Sequence, residues 1–413
     1  MTNKRPHILY IINFYGTPPL NYFEKYVKEE DAAKLTVLKL PSVRPMKNRL
    51  LYDAFLLRGD GSRVDVKFSV WFPFPLFLIF IFQYIINIFI SAYLVTKVRG
   101  RVDIGIGETS FGGALIRLLR LLGIVKYSVY MSGDVLPIFK GKILPYYFGS
   151  KNSLVRSIDK LIVWLQLILR KAGVKNDLVW YAAKSVKKWD TQNKLKPKDS
   201  VVYPAVTIDK NETKGHMKTK KEEDTLGYIG RLDEFAGVDM ALESLVYIKK
   251  EIPKIKLLLV GGGTMTVQRY KEMAKKLGVE ENVKFYGYVP EMSDALKIIS
   301  RTKLGLALYK PSSDNVSLHA DVAKPKEYLK VGVPVVITKK GPSVGAEIEG
   351  AGGGVRVKYD PKEVSETVVS LLRNKKEYKK LQEGVMSLGS VYDYRSNFKN
   401  LLEDILSKSV GPR

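Results

Sequence analysis

Cysteine is absent from the 413 residues, which excludes disulfides and thiolate metal sites and fits a reducing compartment. Histidine is almost absent: His7, His216 and His319 are scattered, so no zinc site is expected. No Asp-x-Asp pair occurs anywhere. The opening Met-Thr-Asn-Lys-Arg-Pro-His runs straight into an apolar strand, residues 8–12, too short for a signal-peptide core and without a small-residue cleavage site. Acidic residues are also scarce, 42 against 68 Lys and Arg, for a net charge of +26. Residues 1–200 carry 32 basic and 14 acidic side chains, or +18, and the remainder carries +8. A basic surface implies an anionic partner: nucleic acid, a phosphorylated substrate or acidic lipid. No zinc-finger or aromatic RNA-binding signature accompanies the charge, and nucleic acid is not an expected partner.

What is present is length and alternation. At roughly 100–200 residues per domain, two or three domains are expected. Strands at residues 8–12, 35–40, 104–106, 127–131, 178–181 and 201–203 alternate with helices at 19–30 and 112–122. Residues 209–224 are almost wholly polar and read as an inter-domain segment or an exposed loop. Beyond them the alternation is cleaner. Strands at 225–229, 256–260, 283–286, 304–308, 334–337 and 354–357 enclose helices at 238–252, 265–277, 292–299, 325–331 and 361–374. Strand and helix in turn imply a parallel sheet covered on both faces. The reading is therefore α/β: two Rossmann-like doubly wound domains facing a cleft. Residues 1–208 are the first domain and 225–392 the second; 393–413 form a final helix.

Residues 74–95 hold no charge, long enough to suggest a membrane span. A span is disfavoured because strands on either side belong to one sheet, which cannot lie on both sides of a bilayer. Gln83, Asn87 and Ser91 lie four apart and line one helix face, as in a helix that lies against the protein and dips into a membrane interface. Burial in the core is the alternative. Residues 154–169 add a basic amphipathic pattern, with Arg156, Lys160, Arg170, Lys171 and Trp164, suited to anionic lipid or to an ordinary solvated helix face.

Chemistry concentrates at strand ends of the second domain. Gly230 and Arg231 follow a strand; the glycine allows close backbone approach, and the arginine fork can reach a diphosphate. A surface ion pair would account for Arg231 equally well. Gly261-Gly262-Gly263 and the turn at Tyr288 and Val289 end the next two strands, and each is also compatible with a plain turn. The segment Ser317–Val336 is the densest: a polar loop, a helix carrying Lys324 and Glu327, then Gly-x-Pro and an apolar strand. Lys324 could neutralise phosphate and Glu327 accept hydrogen bonds from ribose hydroxyls, or the pair could simply be a solvated helix face.

In order and spacing these segments resemble the C-terminal domain of glycosyltransferase family 4. They are Gly-Arg-Leu, four residues, Gly-Val-Asp; Val-Gly-Gly-Gly; Phe-Tyr-Gly-Tyr-Val-Pro; and Lys-x-x-Glu-Tyr-Leu-x-x-Gly-x-Pro-Val-Val. The resemblance spans most of residues 225–410 and is weaker before. It implies the GT-B fold and a retaining, nucleotide-sugar-dependent, hexosyltransferase-type enzyme. It further implies that Arg231 and Lys324 bind the donor diphosphate beside Gly230, and that Glu327 holds the ribose. Tyr288 and Val289 would hold the base; His319, Ala320, Asp321 and Val322 would face the transferred sugar. Gly16, in the first domain, would close over the diphosphate, and the helix around residues 396–405 would cross back to the first domain. No cofactor and no metal are expected, since Arg and Lys can neutralise the leaving group.

Three departures stand out. Ala236 occupies a place where many members carry lysine. His319 stands where many carry the first of two glutamates. Asp134, in Ser132-Gly133-Asp134, replaces a histidine at a first-domain strand end and is the substitute catalytic candidate. The expected acceptor is lipid-linked or a glycan, and the expected place is the cytoplasmic face of the membrane, peripherally bound. A non-catalytic relative that keeps the fold as a binding subunit is the competing reading.

Overall fold

The computed structural model describes residues 5–12, 18–40, 44–46, 49–71, 79–136, 138–139, 142–143 and 153–409. The chain divides into two compact units: Met1–Ala205 with Phe398–Arg413, and Val206–Asn397.

The first unit contains β1 (His7–Ile12), α1 (Pro18–Glu29), β2 (Lys34–Lys39), β3 (Arg44–Met46), β4 (Arg49–Leu57) and β5 (Arg63–Trp71). There follow α2 (Ile79–Val95), β6 (Val102–Glu108), α3 (Thr109–Leu121), β7 (Val125–Ser132), β8 (Ile138–Phe139) and β9 (Lys142–Ile143). Then come α4 (Ser153–Val174), β10 (Leu178–Tyr181), α5 (Lys184–Gln192) and β11 (Ser200–Val202). Its main sheet runs β11-β10-β7-β6-β1-β2-β4-β3, with β5 paired to β4. From β11 to β2 the pairing is parallel, and the strand order reverses between β1 and β6, a topological switch point. The sequence reading expected only parallel strands and assigned nothing between residues 40 and 74. Instead β4 lies antiparallel to β2 and forms a hairpin with β5. The signal was present in the alternating Val64, Val66 and Phe68, which pack against the core beside Ala54 and Leu56.

Helices α2, α3 and α4 share one side of this sheet. Ile90 and Leu94 of α2 and Phe111, Ile116 and Leu119 of α3 enter one core cluster, with Leu169 of α4 against it. Helix α2 also buries polar residues and exposes part of its apolar surface. Asn87 and Ser91 are buried, whereas Ile85, Ile88, Phe89 and Tyr93 are exposed, Phe89 at 71%. Leu118 and Leu121 of α3, Leu122 just after it, and Leu161, Trp164 and Ile168 of α4 are exposed as well. Of the apolar stretch 74–95, residues 74–78 lie outside the described residues. No helix among the described residues is long and apolar enough to cross a membrane.

The second unit contains α6 (Lys210–Met217), β12 (Thr225–Ile229), α7 (Val238–Glu251), β13 (Lys256–Val260), α8 (Thr264–Lys276) and β14 (Val283–Gly287). It continues with α9 (Met292–Ser300), β15 (Leu304–Ala307), α10 (Ala323–Lys330), β16 (Val335–Thr338), α11 (Val344–Gly350) and β17 (Gly354–Val357). Helices α12 (Pro361–Arg373) and α13 (Lys375–Val391) complete it, and α14 (Tyr394–Ser409) begins in it and, from Phe398 on, belongs to the first unit. All six strands are parallel in the order β14-β13-β12-β15-β16-β17, reversing between β12 and β15.

Residues 209–224 are not a free linker. Asp209 accepts a hydrogen bond from the Asn211 amide and caps α6, and Thr213 is buried. The Asp209…Glu212 spacing is a helix-start pattern that the polar composition concealed. The chain passes between units at residues 205–206 and again at 397–398.

Candidate active site

In a doubly wound sheet, ligands bind beyond the carboxyl ends of the strands at the switch point. In the second unit that place is the end of β12 between β13 and β15. Three glycine turns line it. The Gly230 amide donates to the Val260 carbonyl at 3.0 Å, and the Gly261 amide donates to the Gly287 carbonyl at 2.7 Å, so the ends of β12, β13 and β14 form one rim. At Gly261, φ is +130° and a Cβ would stand 1.9 Å from the Gly230 carbonyl oxygen. At Gly237, φ is +83° and a Cβ would stand 1.6 Å from the Leu308 carbonyl oxygen, so the Gly-Val-Asp glycine is required for the loop to cross β15.

Arg231 and Lys324 meet on this rim. The Arg231 side chain is 64% exposed, with Nε 3.4 Å from a carboxylate oxygen of Asp233. Asp233 in turn accepts the Ala236 amide at 2.7 Å. Lys324, in the first turn of α10, is buried. Its Nζ donates to the Ala236 carbonyl at 2.9 Å and sits 3.7 Å from the centre of the Tyr228 ring. The Tyr228 hydroxyl donates to the Arg231 carbonyl at 2.6 Å, which fixes the turn that carries the arginine. Burial pulls the Lys324 ammonium down to about 7; Asp233 opposes this and Arg231 reinforces it. A second anion at this place would favour the charged lysine. No side chain caps α10, so its first-turn amides are directed to the same neighbourhood.

Glu327, one turn along α10, is buried. One carboxylate oxygen accepts from Lys330 Nζ at 2.9 Å, and the other has no hydrogen-bond partner. A buried, half-satisfied carboxylate is costly unless a donor completes it. Tyr288 is exposed at the end of β14, and Val289 packs partly against the core.

Two expectations change here. Asp321 is not available as a side-chain ligand. Its side chain is 5% exposed, one oxygen pairs with Lys326 Nζ at 2.6 Å, and the other accepts the Val206 amide at 3.2 Å. Its place in a polar loop concealed that a lysine five residues on would turn inward and bury it. His319, Ala320 and Val322 are half-buried around it. Arg170, read as part of a lipid-facing basic flank, is instead 2% exposed and paired with Asp190 at 2.7 Å. Its partners lie on α5 and β7, beyond any local pattern.

One residue was missed. Asn315 is fully buried; its amide donates to the carbonyls of Phe235 and Lys310, each at 2.9 Å. It clamps the loop after β15 to the loop after β12. The only local sign was its own cap on the Ser317 amide.

The structure thus brings Gly230, Arg231 and Lys324 to one rim, with Glu327 one turn further along α10 and Tyr288 just after β14. Asp134 belongs to the first unit, exposed just after β7. Gly16 lies outside the described residues. Among the described residues no group of three or more His, Asp or Glu is placed to hold a metal ion.

Residues 209–385 match the family model described as glycosyl transferases group 1. An uncharacterized glycosyltransferase of Methanocaldococcus jannaschii is 27% identical over 237 residues, 54% of this chain. The match spans about half of that relative's length, 55%. Among solved structures, HepE of Anabaena, in complex with UDP, superposes with a TM-score of 0.61 at 13% identity, covering 98% of this chain and 100% of that one. Sucrose-phosphate synthase from Thermosynechococcus elongatus gives 0.67 at 12%, with 98% and 100% covered. WaaG, a glycosyltransferase involved in lipopolysaccharide biosynthesis, gives 0.60 at 13%, with 96% and 99% covered. At such identities the likeness is one of fold: two Rossmann-like domains of the GT-B architecture.

Proposed function

We propose that this chain, with a group 1 glycosyl transferase domain on a GT-B fold, transfers a hexose from a nucleotide sugar with retention of anomeric configuration. The observation that carries the reading is the meeting of Gly230, Arg231 and Lys324 at the switch point, with a buried, unpaired carboxylate oxygen of Glu327 one turn further along α10. The bond from the anomeric carbon to the diphosphate breaks, and Arg231, Lys324 and the α10 amides stabilise the charge that develops. An acceptor hydroxyl adds on the same face, and its proton passes to the leaving phosphate. Glu327 accepts from the ribose, the turn at Tyr288 and Val289 receives the base, and Asp134 stands in for the group beside the transferred sugar. The reaction needs no metal ion or cofactor in this reading, because two cationic side chains neutralise the leaving group.

The acceptor in this reading is lipid-linked, and the enzyme rests peripherally on the cytoplasmic face of a membrane. The exposed apolar side chains of α2, α3 and α4, in the more basic part of the chain, support it. A non-catalytic binding subunit is the alternative, favoured by Ala236 and by the ties of Lys324 to the Ala236 carbonyl and of Glu327 to Lys330.

The deciding experiment is a thermal-shift screen against nucleoside diphosphates and nucleotide sugars. One nucleotide is expected to raise the melting temperature, and Arg231→Ala and Glu327→Ala to abolish the rise. No rise with any nucleotide would sink the reading. A rise without turnover of any acceptor would favour the binding subunit.

A further inference from the structure

Arg170 projects inward from α4 and joins three elements. Its Nε donates to Asp190 Oδ1 on α5 at 2.7 Å. One terminal nitrogen donates to Ser132 Oγ, the last residue of β7, at 2.8 Å, and the other donates to the Asp134 carbonyl at 2.8 Å. The guanidinium lies 5.1 Å from the centre of the Trp189 ring. Asp190 is fully buried, and Arg170 nearly so.

A buried ion pair is a weak source of stability, because desolvating both charges offsets most of their attraction. What a guanidinium supplies, and an apolar side chain or a lysine does not, is a planar set of donors in fixed directions. Here the fork is divided among three acceptors, and two of them belong to the short loop Ser132-Gly133-Asp134. The Ala182 amide adds a further tie, donating to the Ser132 carbonyl at 3.0 Å. Val135 and Leu136, directly after the loop, are buried. Asp134 therefore presents an exposed side chain on a peptide whose carbonyl is held from beneath. Gly133 gives the loop no side chain of its own to hold it. Any rotation of the peptide after Asp134 has to break the Arg170 bond.

We propose that Arg170 is a positioning residue for glycosyl transfer. Anchored by Asp190, it fixes the loop after β7 and hence the direction of the Asp134 carboxylate. This inference rests on the transferase reading and on the place given there to Asp134.

The test compares wild type with Arg170→Lys, Asp134→Asn, the apolar pair replacement Arg170→Met with Asp190→Leu, and that pair combined with Asp134→Asn. The pair replacement guards against an unfolded single variant, since it leaves no unpaired buried charge. The transfer assay uses the nucleotide sugar identified by the thermal-shift screen. Arg170→Lys and the pair replacement are expected to lower kcat by roughly 10- to 100-fold, the scale of a slightly displaced catalytic group. The KM for the donor and the nucleotide-induced thermal shift should stay unchanged. Asp134→Asn should cost far less in the pair-replaced background than alone, since its position is already lost. Amide hydrogen exchange of residues 133–136 should quicken in Arg170→Lys, with the melting temperature near that of wild type.

Wild-type kcat in the pair replacement, or an equal cost of Asp134→Asn in both backgrounds, overturns the proposal. So does unchanged exchange of residues 133–136, a readout that needs no turnover. Failure of the transferase reading is separate: wild type then shows no nucleotide-induced shift, whatever Arg170 does to the loop.

Discussion

At the scale of residues, Lys324 is the group whose chemistry the structure changes most. It sits under Tyr228 with its charge disfavoured by burial, and its pKa falls to about 7. A bound diphosphate would raise that value, so binding should take up a proton. Affinity is then full below about pH 7, where the free lysine is already charged. It declines above that, by at most tenfold per pH unit, until the pKa of the complex is reached. Calorimetric titration of the matching nucleoside diphosphate at pH 6, 7, 8 and 9 should show this fall. In Lys324→Met the affinity should be weak and flat over the same range. Gly237 makes a second demand on a single residue. Gly237→Ala combines a left-handed backbone, costing about 1–2 kcal/mol for an L-residue, with collision against the Leu308 carbonyl. Urea denaturation should show at least that loss of stability.

At the scale of elements, α2 shows how a pattern can be read correctly and still leave its partner open. The four-residue spacing of Gln83, Asn87 and Ser91 predicted one polar face. The structure buries Asn87 and Ser91 and turns Ile88 and Phe89 outward, and α3 and α4 also expose apolar side chains. Ile90 and Leu94 still reach the core, so the helix is apolar on both sides, and its exposed side calls for an apolar partner. Phe89→Asp with Trp164→Glu should reduce co-sedimentation with anionic vesicles by an order of magnitude or more. Folding stability should change by no more than about 0.5 kcal/mol per site, as both side chains are exposed. Equal sedimentation of wild type and variant would remove the membrane from the proposal. Helix α6 makes the converse point. Its polar sequence read as a linker, yet a capping aspartate and one buried threonine place it in the second unit.

At the scale of the whole molecule, the chain ends in the unit where it began. Phe398 of α14 packs edge-on against Phe23 at 5.3 Å and Trp180 at 6.2 Å. Tyr203 donates to Asp404 at 2.7 Å, and Lys408 pairs with Asp199 at the same distance. Phe398→Ala should therefore weaken the first unit, by about 3–5 kcal/mol for a large buried aromatic, although it lies almost two hundred residues beyond Ala205. Scanning calorimetry should show the transition of the first unit falling. The transition that nucleotide binding raises, belonging to the second unit, should stay near its wild-type temperature.

The sequence by itself determined the second unit most fully. Its strands are continuous apolar runs and its turns are glycines, and both signals are local. The placing of Arg231 directly after a strand end, and of Lys324 and Glu327 on one helix, was legible for the same reason. Tertiary structure alone decided which charged groups are buried. Arg170, Asp321 and Asn315 look like surface residues in the sequence, and their partners lie from 5 to 115 residues away. The cost of burying such a group is offset only by a partner brought to it in space, and the order of residues along the chain does not record that meeting.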